Sequence, residues 1–282
     1  MTSATRQART VRIGMVGAHI ACLGAIETGV SAVALLVGGV AYVLRAFGVT
    51  AGFHRLLAHG AFKAGRATQF VLALLGSLAT QGAPLWWVSH HRNHHRYSDG
   101  PRDLHSPRQR GFWYSHMGWM WDKVSFETHG SNVKELHQYP ELKALQRLYP
   151  PLVVGQGLAF YGLGALLGHY YPELGTSGPQ MLVWGFIIST VALWHATFMV
   201  NSVCHVWGKR PYETGDESTN NPLVAALTLG EGWHNNHHKY GYSARHGLEW
   251  WQIDPTYLGL RALEAIGLVS DLKLPRKVVA TA

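Results

Sequence analysis

The sequence predicts an all-α integral membrane protein in which four transmembrane helices carry a helical cap on the cytoplasmic side. Three observations lead there. Apolar residues concentrate in two long blocks, 13–48 and 151–204, although mean hydropathy over the 282 residues is near zero. Each block is too long for one span and has a turn signal near its middle. The Lys and Arg behind the net charge of +8 fall mostly outside the blocks, and none lies in the short turns within them.

A helix rises about 1.5 Å per residue, so Ile13 to Gly48 as one rod would measure nearly twice the roughly 30 Å hydrocarbon thickness. Glu27-Thr28-Gly29 is the natural turn, giving spans of about 12–27 and 30–48. Pro150-Pro151 opens the third span, about 151–171, and after the turn at 172–179 the fourth returns over about 181–204. The apolar stretch from Phe70 to Ala83 has the length of a core or interfacial segment rather than of a span. Were it to cross, the His-rich runs on its two sides would face opposite compartments, so it is placed along the membrane surface.

Four crossings put the N-terminus, segment 49–149 and segment 205–282 on one side, and the basic excess makes that side cytoplasmic. The membrane is then a bacterial inner membrane, or the endoplasmic reticulum of a eukaryote. Residues 1–282 read as a single domain, without repeats or linkers. No short leader-like segment with a cleavage site precedes the first block, which is expected to be retained. Trp113, Trp119, Trp121, Trp250 and Trp251 suit either the water–lipid boundary or buried packing. Cys22 and Cys204, each inside a block, indicate no disulfide framework. A positive charge that follows membrane topology in this way argues against a nucleic-acid partner.

The chemistry lies in the histidines. Of 18, eight fall in three tight groups: His54 and His59 in HRLLAH, His91, His94 and His95 in HRNHH, and His234, His237 and His238 in HNNHH. On an α-helix, HxxHH presents three imidazoles on one face, as ligands for a metal pair require. His54 and His59, five apart, diverge by about 140° on an ideal α-helix, so one ligand to each metal is expected. Asn201 and His205 in NSVCH sit one turn apart at the end of the last span and can close the cluster. Structural zinc needs only four ligands, and the paired Glu and Glu-x-x-His pattern of ferritin-like sites is absent. Imidazole suits Fe, Cu, Ni and Zn alike. His90, His105, His116, His129, His137 and His246 stand outside any ligand spacing, and His19, His169 and His195, in or at the ends of spans, read as interfacial hydrogen-bonding groups.

HRLLAH, HRNHH, NSVCH and GEGWHNNHH, with RDLHSP, GFWYSHMGW, VNSVCHVWGKRPY and HNNHHKYGYSARHG in the same order, resemble the membrane acyl-CoA desaturases of the stearoyl-CoA (delta-9) type, from about His19 to Pro275. The resemblance implies a cap holding two Fe2+ ions. It gives one iron His54, His91, His95 and His234 with a water on Asn201, and the other His59, His94, His205, His237 and His238. Asp99, Asp103 and Glu231 are candidates to orient the imidazoles. Gln81, Trp87 and Thr197 match residues at the kink of a substrate tunnel, and Tyr42 matches the residue closing its far end.

The implied reaction is O2-dependent removal of two hydrogens from adjacent methylenes of a saturated acyl chain, giving a cis alkene, with delta-9 the expected position. Ser89 and His90 replace a charged pair that meets the CoA headgroup in the animal enzymes, and Phe198 replaces a tryptophan near the kink. Acyl-CoA is the first choice of carrier, ahead of acyl carrier protein or a lipid-linked chain. Electrons are expected from a separate donor of the cytochrome b5, ferredoxin or rubredoxin type, since no cytochrome b5-like extension is fused. The rival readings are a membrane di-iron hydroxylase and a non-catalytic metal transporter; the latter would string polar groups along its spans rather than gather histidines at one mouth.

Overall fold

A computed structural model describes residues 2–126 and 130–275; His129 lies outside the described residues. Four helical stretches, Ser3–Thr28, Ala32–Ala58, Pro140–Tyr170 and Gly178–His205, are long and apolar enough to cross a membrane. The first comprises α1 (Ser3–Ala21) and the short α2 (Gly24–Thr28). The second runs from α3 (Ala32–Phe47) directly into a π-helix, Gly48–Ala58. Gly29, at φ 60°, makes the expected turn between them. That turn is fastened to the other pair: Trp184 Nε1 donates to the Gly29 carbonyl at 2.7 Å, and Gln180 Nε2 to Thr28 at 3.0 Å. Ile13, Ile20, Leu36, Val154 and Leu158 remain exposed along these helices, an apolar surface of the kind that faces lipid.

After the π-helix come the two-residue strand β1 (Lys63–Ala64), α4 (Arg66–Leu78) and α5 (Pro84–Tyr97). At 13 residues α4 is about 20 Å long, short of a bilayer core. It lies against the π-helix so closely that a Cβ on Gly48 would sit 2.2 Å from the Gly76 nitrogen. The cap continues through α6 (Pro107–Arg110), α7 (Phe112–His116) and three 3-10 turns.

The third stretch is the single helix α8 (Pro140–Tyr170). It starts at Pro140, ten residues before the Pro150-Pro151 start expected from sequence, and runs through both prolines. Its first turns are held from outside: Leu142 and Leu145 are buried with Phe53, Leu85 and Val88, and that packing offsets the ladder bonds the prolines remove. The fourth stretch is α9 (Gly178–Met181), a second π-helical segment (Leu182–Ile188) and α10 (Ser189–Ser202). The C-terminal part of the cap holds α11 (Pro222–Leu227), α12 (His234–Lys239), α13 (Pro255–Ala265) and strand β2 (Val269–Ser270), which pairs antiparallel with β1.

Trp113 and Trp250 are exposed whereas Trp119 is buried, so the tryptophans divide between surface and core. Cys22 and Cys204 are free thiols.

Candidate metal centre

The HRLLAH histidines come from the π-helix. Residues five apart lie one turn apart there, and His59 N donates to the His54 carbonyl at 3.2 Å. His54 and His59 therefore share a face, their ring centroids 4.9 Å apart. The 140° divergence expected of an α-helix does not occur, and the two rings belong to one group.

The HRNHH histidines lie on α5 and the HNNHH histidines on α12. The two asparagines between the latter face the other way, into the cap. Asn220 Oδ1 accepts from the backbone N–H groups of Asn235 (2.9 Å) and Asn236 (3.2 Å), and Asn236 Nδ2 donates to the His246 carbonyl and to Gln252 Oε1, both at 2.8 Å. A six-residue helix would not persist alone; these bonds hold it.

The nine imidazoles fall into two groups: His54, His59, His91, His95 and His237, then His94, His205, His234 and His238. Three members are grouped otherwise than the resemblance implies. His59 and His237 stand with His54, His91 and His95, while His234 stands with His94, His205 and His238. The reasons are the π-helical turn at His54–His59 and the spacing on α5 and α12, where the i, i+4 pairs His91–His95 and His234–His238 each keep together while His94 and His237 turn toward the other group.

Nε2 atoms approach to 2.7 Å (His59–His91), 2.9 Å (His95–His237), 3.0 Å (His54–His237) and 3.1 Å (His205–His234). Metal–imidazole bonds of about 2.0–2.1 Å place adjacent ligand nitrogens about 3 Å apart, so the donor set fits a pair of first-row ions. Only neutral rings bind a metal. Burial, then the neighbouring imidazoles, pushes His59, His91, His95, His234 and His237 well below the usual histidine range.

Carboxylates stand behind four rings and fix which nitrogen faces inward. Nδ1 of His205 meets Asp99 Oδ2 at 2.8 Å, that of His94 meets Asp103 Oδ2 at 3.0 Å, and that of His238 meets Asp216 Oδ2 at 2.6 Å. His54 Nδ1 pairs with Glu231, which Arg55 also holds at 2.9 Å, and Arg55 binds Asp254 in turn. Burial alone would raise these carboxylic acids, but the imidazoles and nearby N–H and O–H donors outweigh it: Asp99 falls to about 2, and Asp103 and Asp216 lie well below the usual carboxylate range. Burial disfavours the His94 cation too, yet Asp103 carries that ring upward.

Asp99, Asp103 and Glu231 stand where the sequence suggested. Asp216 and Asp254 were not singled out; only their acidic character in the stretch flanking HNNHH marked them. His246, set aside on spacing, is buried beside His54, His237 and Glu231, and His105 lies beside His94 and Asp103.

A cavity adjoins the clusters. Gln81, Trp87, Thr197 and Phe198 line it with His91, His105 and Asn201. Tyr42 is not among its lining residues; its hydroxyl donates to the Leu227 carbonyl at 2.6 Å, and it packs with Trp87 against the Ala46–Leu193 core. Ser89 and His90 are buried, Ser89 Oγ donating to Asn132 Oδ1 at 2.8 Å and His90 packing on Trp86.

The family model for fatty acid desaturases matches residues 31–267. The chain belongs to the fatty acid desaturase family. It is 47% identical over 232 residues to the icosanoyl-CoA 5-desaturase of Limnanthes douglasii, covering 81% of this chain and 61% of that protein. It is 44% identical over 240 residues to the chloroplastic palmitoyl-monogalactosyldiacylglycerol delta-7 desaturase of Arabidopsis thaliana, covering 84% and 61%. With the sn-1 stearoyl-lipid 9-desaturase of Anabaena variabilis it shares 39% identity over 264 residues, covering 93% and 92%. The chain thus spans under two thirds of the length of the first two relatives and nearly all of the third.

Proposed function

We propose that this desaturase-family chain introduces a cis double bond, at delta-9, into a saturated long-chain fatty-acyl group, with His54, His59, His91, His94, His95, His205, His234, His237 and His238 holding two Fe2+ ions and Asn201 acting through a water. The observation that carries the reading is the convergence of nine imidazoles, four backed by carboxylates, beside a cavity lined by Gln81, Trp87 and Thr197. The chemistry supplied at the bound iron pair is reduction of O2 coupled to loss of one hydrogen from each of two adjacent methylenes.

The chain's own residues do the rest. The carboxylates of Asp99, Asp103, Asp216 and Glu231 hold the Nδ1 side of their imidazoles, so Nε2 faces the centre. Trp87 and Phe198 give the cavity apolar walls that exclude water, and Gln81 and Thr197 shape the bend at which one pair of methylenes is presented. Electrons come from a separate donor of the cytochrome b5, ferredoxin or rubredoxin class, whose acidic surface would suit the basic cap. We place that cap on the cytoplasmic side.

Acyl-CoA is the first carrier to test. A lipid-linked acyl chain is a second reading, favoured by Ser89 and His90, which are buried where the resemblance implies a charged pair that meets the CoA headgroup, and by the lipid substrates named for two relatives. Expression in a desaturase-deficient host with fatty-acid profiling reads reaction and position together. Iron-loaded protein given stearoyl-CoA or stearoyl-lipid, O2 and reductant then separates the carriers. Alcohols as the sole product would replace desaturation with hydroxylation, and labile zinc without turnover would favour a transporter.

A further inference from the structure

Outside the metal centre, three more histidines meet. His19 on α1, His195 on α10 and His116 on α7 come from sequence positions as far as 176 residues apart. His19 Nε2 lies 2.9 Å from His195 Nε2, and His195 Nδ1 lies 3.0 Å from His116 Nε2. The chain ends at His19 Nδ1, 2.7 Å from the Met15 carbonyl, and at His116 Nδ1, 2.9 Å from Ser202 Oγ.

The His19 end dictates the protons. A carbonyl only accepts, so His19 carries its hydrogen on Nδ1 and its Nε2 accepts. His195 must then donate from Nε2 and accept at Nδ1, and His116 must donate from Nε2; at the far end His116 Nδ1 meets Ser202 Oγ, whose hydroxyl donates to the Phe198 carbonyl at 3.0 Å. One neutral arrangement satisfies the five ring nitrogens from His19 Nδ1 to His116 Nε2. Burial, with His195 beside it, lowers His116 to about 4, so its ring is neutral at physiological pH.

The link ends where the acyl cavity is built. His195 lies two residues before Thr197 and three before Phe198; the Phe198 ring sits edge-on to His116 at 5.9 Å. Ser202 follows Asn201, whose carbonyl accepts from Ser115 Oγ at 3.0 Å. On the far side, α1 buries only Ala8 and Met15, and His19 is its polar tie to α10.

We propose that His116 and His195, anchored by His19 and Ser202, are positioning residues that set the height of α10 against α7 and α1, and thereby select which methylenes of the acyl chain reach the metal centre. The proposal rests on the desaturase reading. A ring displaced along α10 loses both its bonds at once, so the link holds one register, whereas apolar contacts would let the helices slide.

The test compares His195→Ala, His195→Gln and His116→Ala in the desaturase-deficient host and as iron-loaded protein. Wild type should give one dominant positional isomer. The alanine variants, with iron content at the wild-type level, should shift the isomer ratio about tenfold and raise KM more than they lower kcat. His195→Gln, whose amide again offers a donor and an acceptor, should restore the single isomer. An unchanged isomer ratio in both alanine variants, or a glutamine variant behaving like alanine, overturns the proposal. Should an alanine variant fail to accumulate, 15N NMR of histidine-labelled wild type against His195→Gln decides. The lost signal must be an Nε2–H tautomer, and an Nδ1–H tautomer there refutes the link. That readout also stands if wild type forms no alkene, a result that would sink the desaturase reading alone.

Discussion

The two histidine assemblies use the imidazole ring in opposite ways. In the metal centre, Nδ1 of His54, His94, His205 and His238 is given to a carboxylate and Nε2 is turned toward other imidazoles. In the His19–His195–His116 link, both nitrogens of every ring are taken by a neighbouring ring, a carbonyl or a hydroxyl. Rings of the first kind are held ready for a cation; rings of the second are saturated. What separates ligand from strut is the partner at the far nitrogen, which spacing in the sequence does not reveal.

The largest expected effect that breaks this contrast comes from removing an inward-facing ring. His94→Ala or His237→Ala should lower bound iron and alkene formation at least about 100-fold, read by metal analysis and product yield; either variant keeping its iron and its turnover would remove that residue from the centre. Gly48→Ala comes next. Its Cβ would overlap the α4 backbone, so the π-helix must shift and His54 and His59 with it. Iron content should fall in that variant although no ligand has changed.

A step smaller, Asp216→Asn or Asp99→Asn leaves the rings in place but loosens their hold, and the loss of metal affinity should be about 10- to 100-fold, measured by competition with a chelator. His195→Ala, by contrast, should leave affinity unchanged. If it weakened metal binding as much as Asp216→Asn, the distinction between the assemblies would collapse.

The smallest effect is on stability against pH. The ordinary histidine value is 6.5, and His59, His91, His95, His234 and His237 lie well below it in the folded chain. Unfolded rings therefore take up protons first, and the stability held by the neutral rings is full above about pH 6.5 and declines below it. For Asp99 the contribution is present above 3.8 and is lost as pH falls toward 2. Metal-free protein should have a lower Tm at pH 5.5 than at 7.5; a Tm that rose on acidification would contradict this, since neutral buried rings cannot be stabilised by acid.

Much of the fold was legible in the chain. Apolar block lengths and the Glu27–Gly29 and Pro172–Pro179 turns gave four long helices, because hydrocarbon thickness and helix rise are fixed quantities. The His-rich runs on the two sides of the short α4 had to meet, and they do, His59 Nε2 lying 2.7 Å from His91 Nε2. Prolines misled at the third stretch. Pro150 and Pro151 read as a start, but buried Leu142 and Leu145 carry the helix back to Pro140.

At the site, the sequence by itself singled out the histidines that stand together, six in the two HxxHH runs, two in HRLLAH and His205 in NSVCH, since closely spaced imidazoles are concentrated whatever surrounds them. Only the tertiary structure decided how they part between two groups. That depends on a π-helical turn at His54–His59, which an α-helical spacing rule cannot anticipate, and on α12 docking through Asn235 and Asn236. It also decided that Asp216 and Glu231 face imidazoles while His19, His116 and His195 face one another. Such pairings, His19 with His195 among them, join residues as far as 176 or 177 positions apart, and no local pattern encodes them.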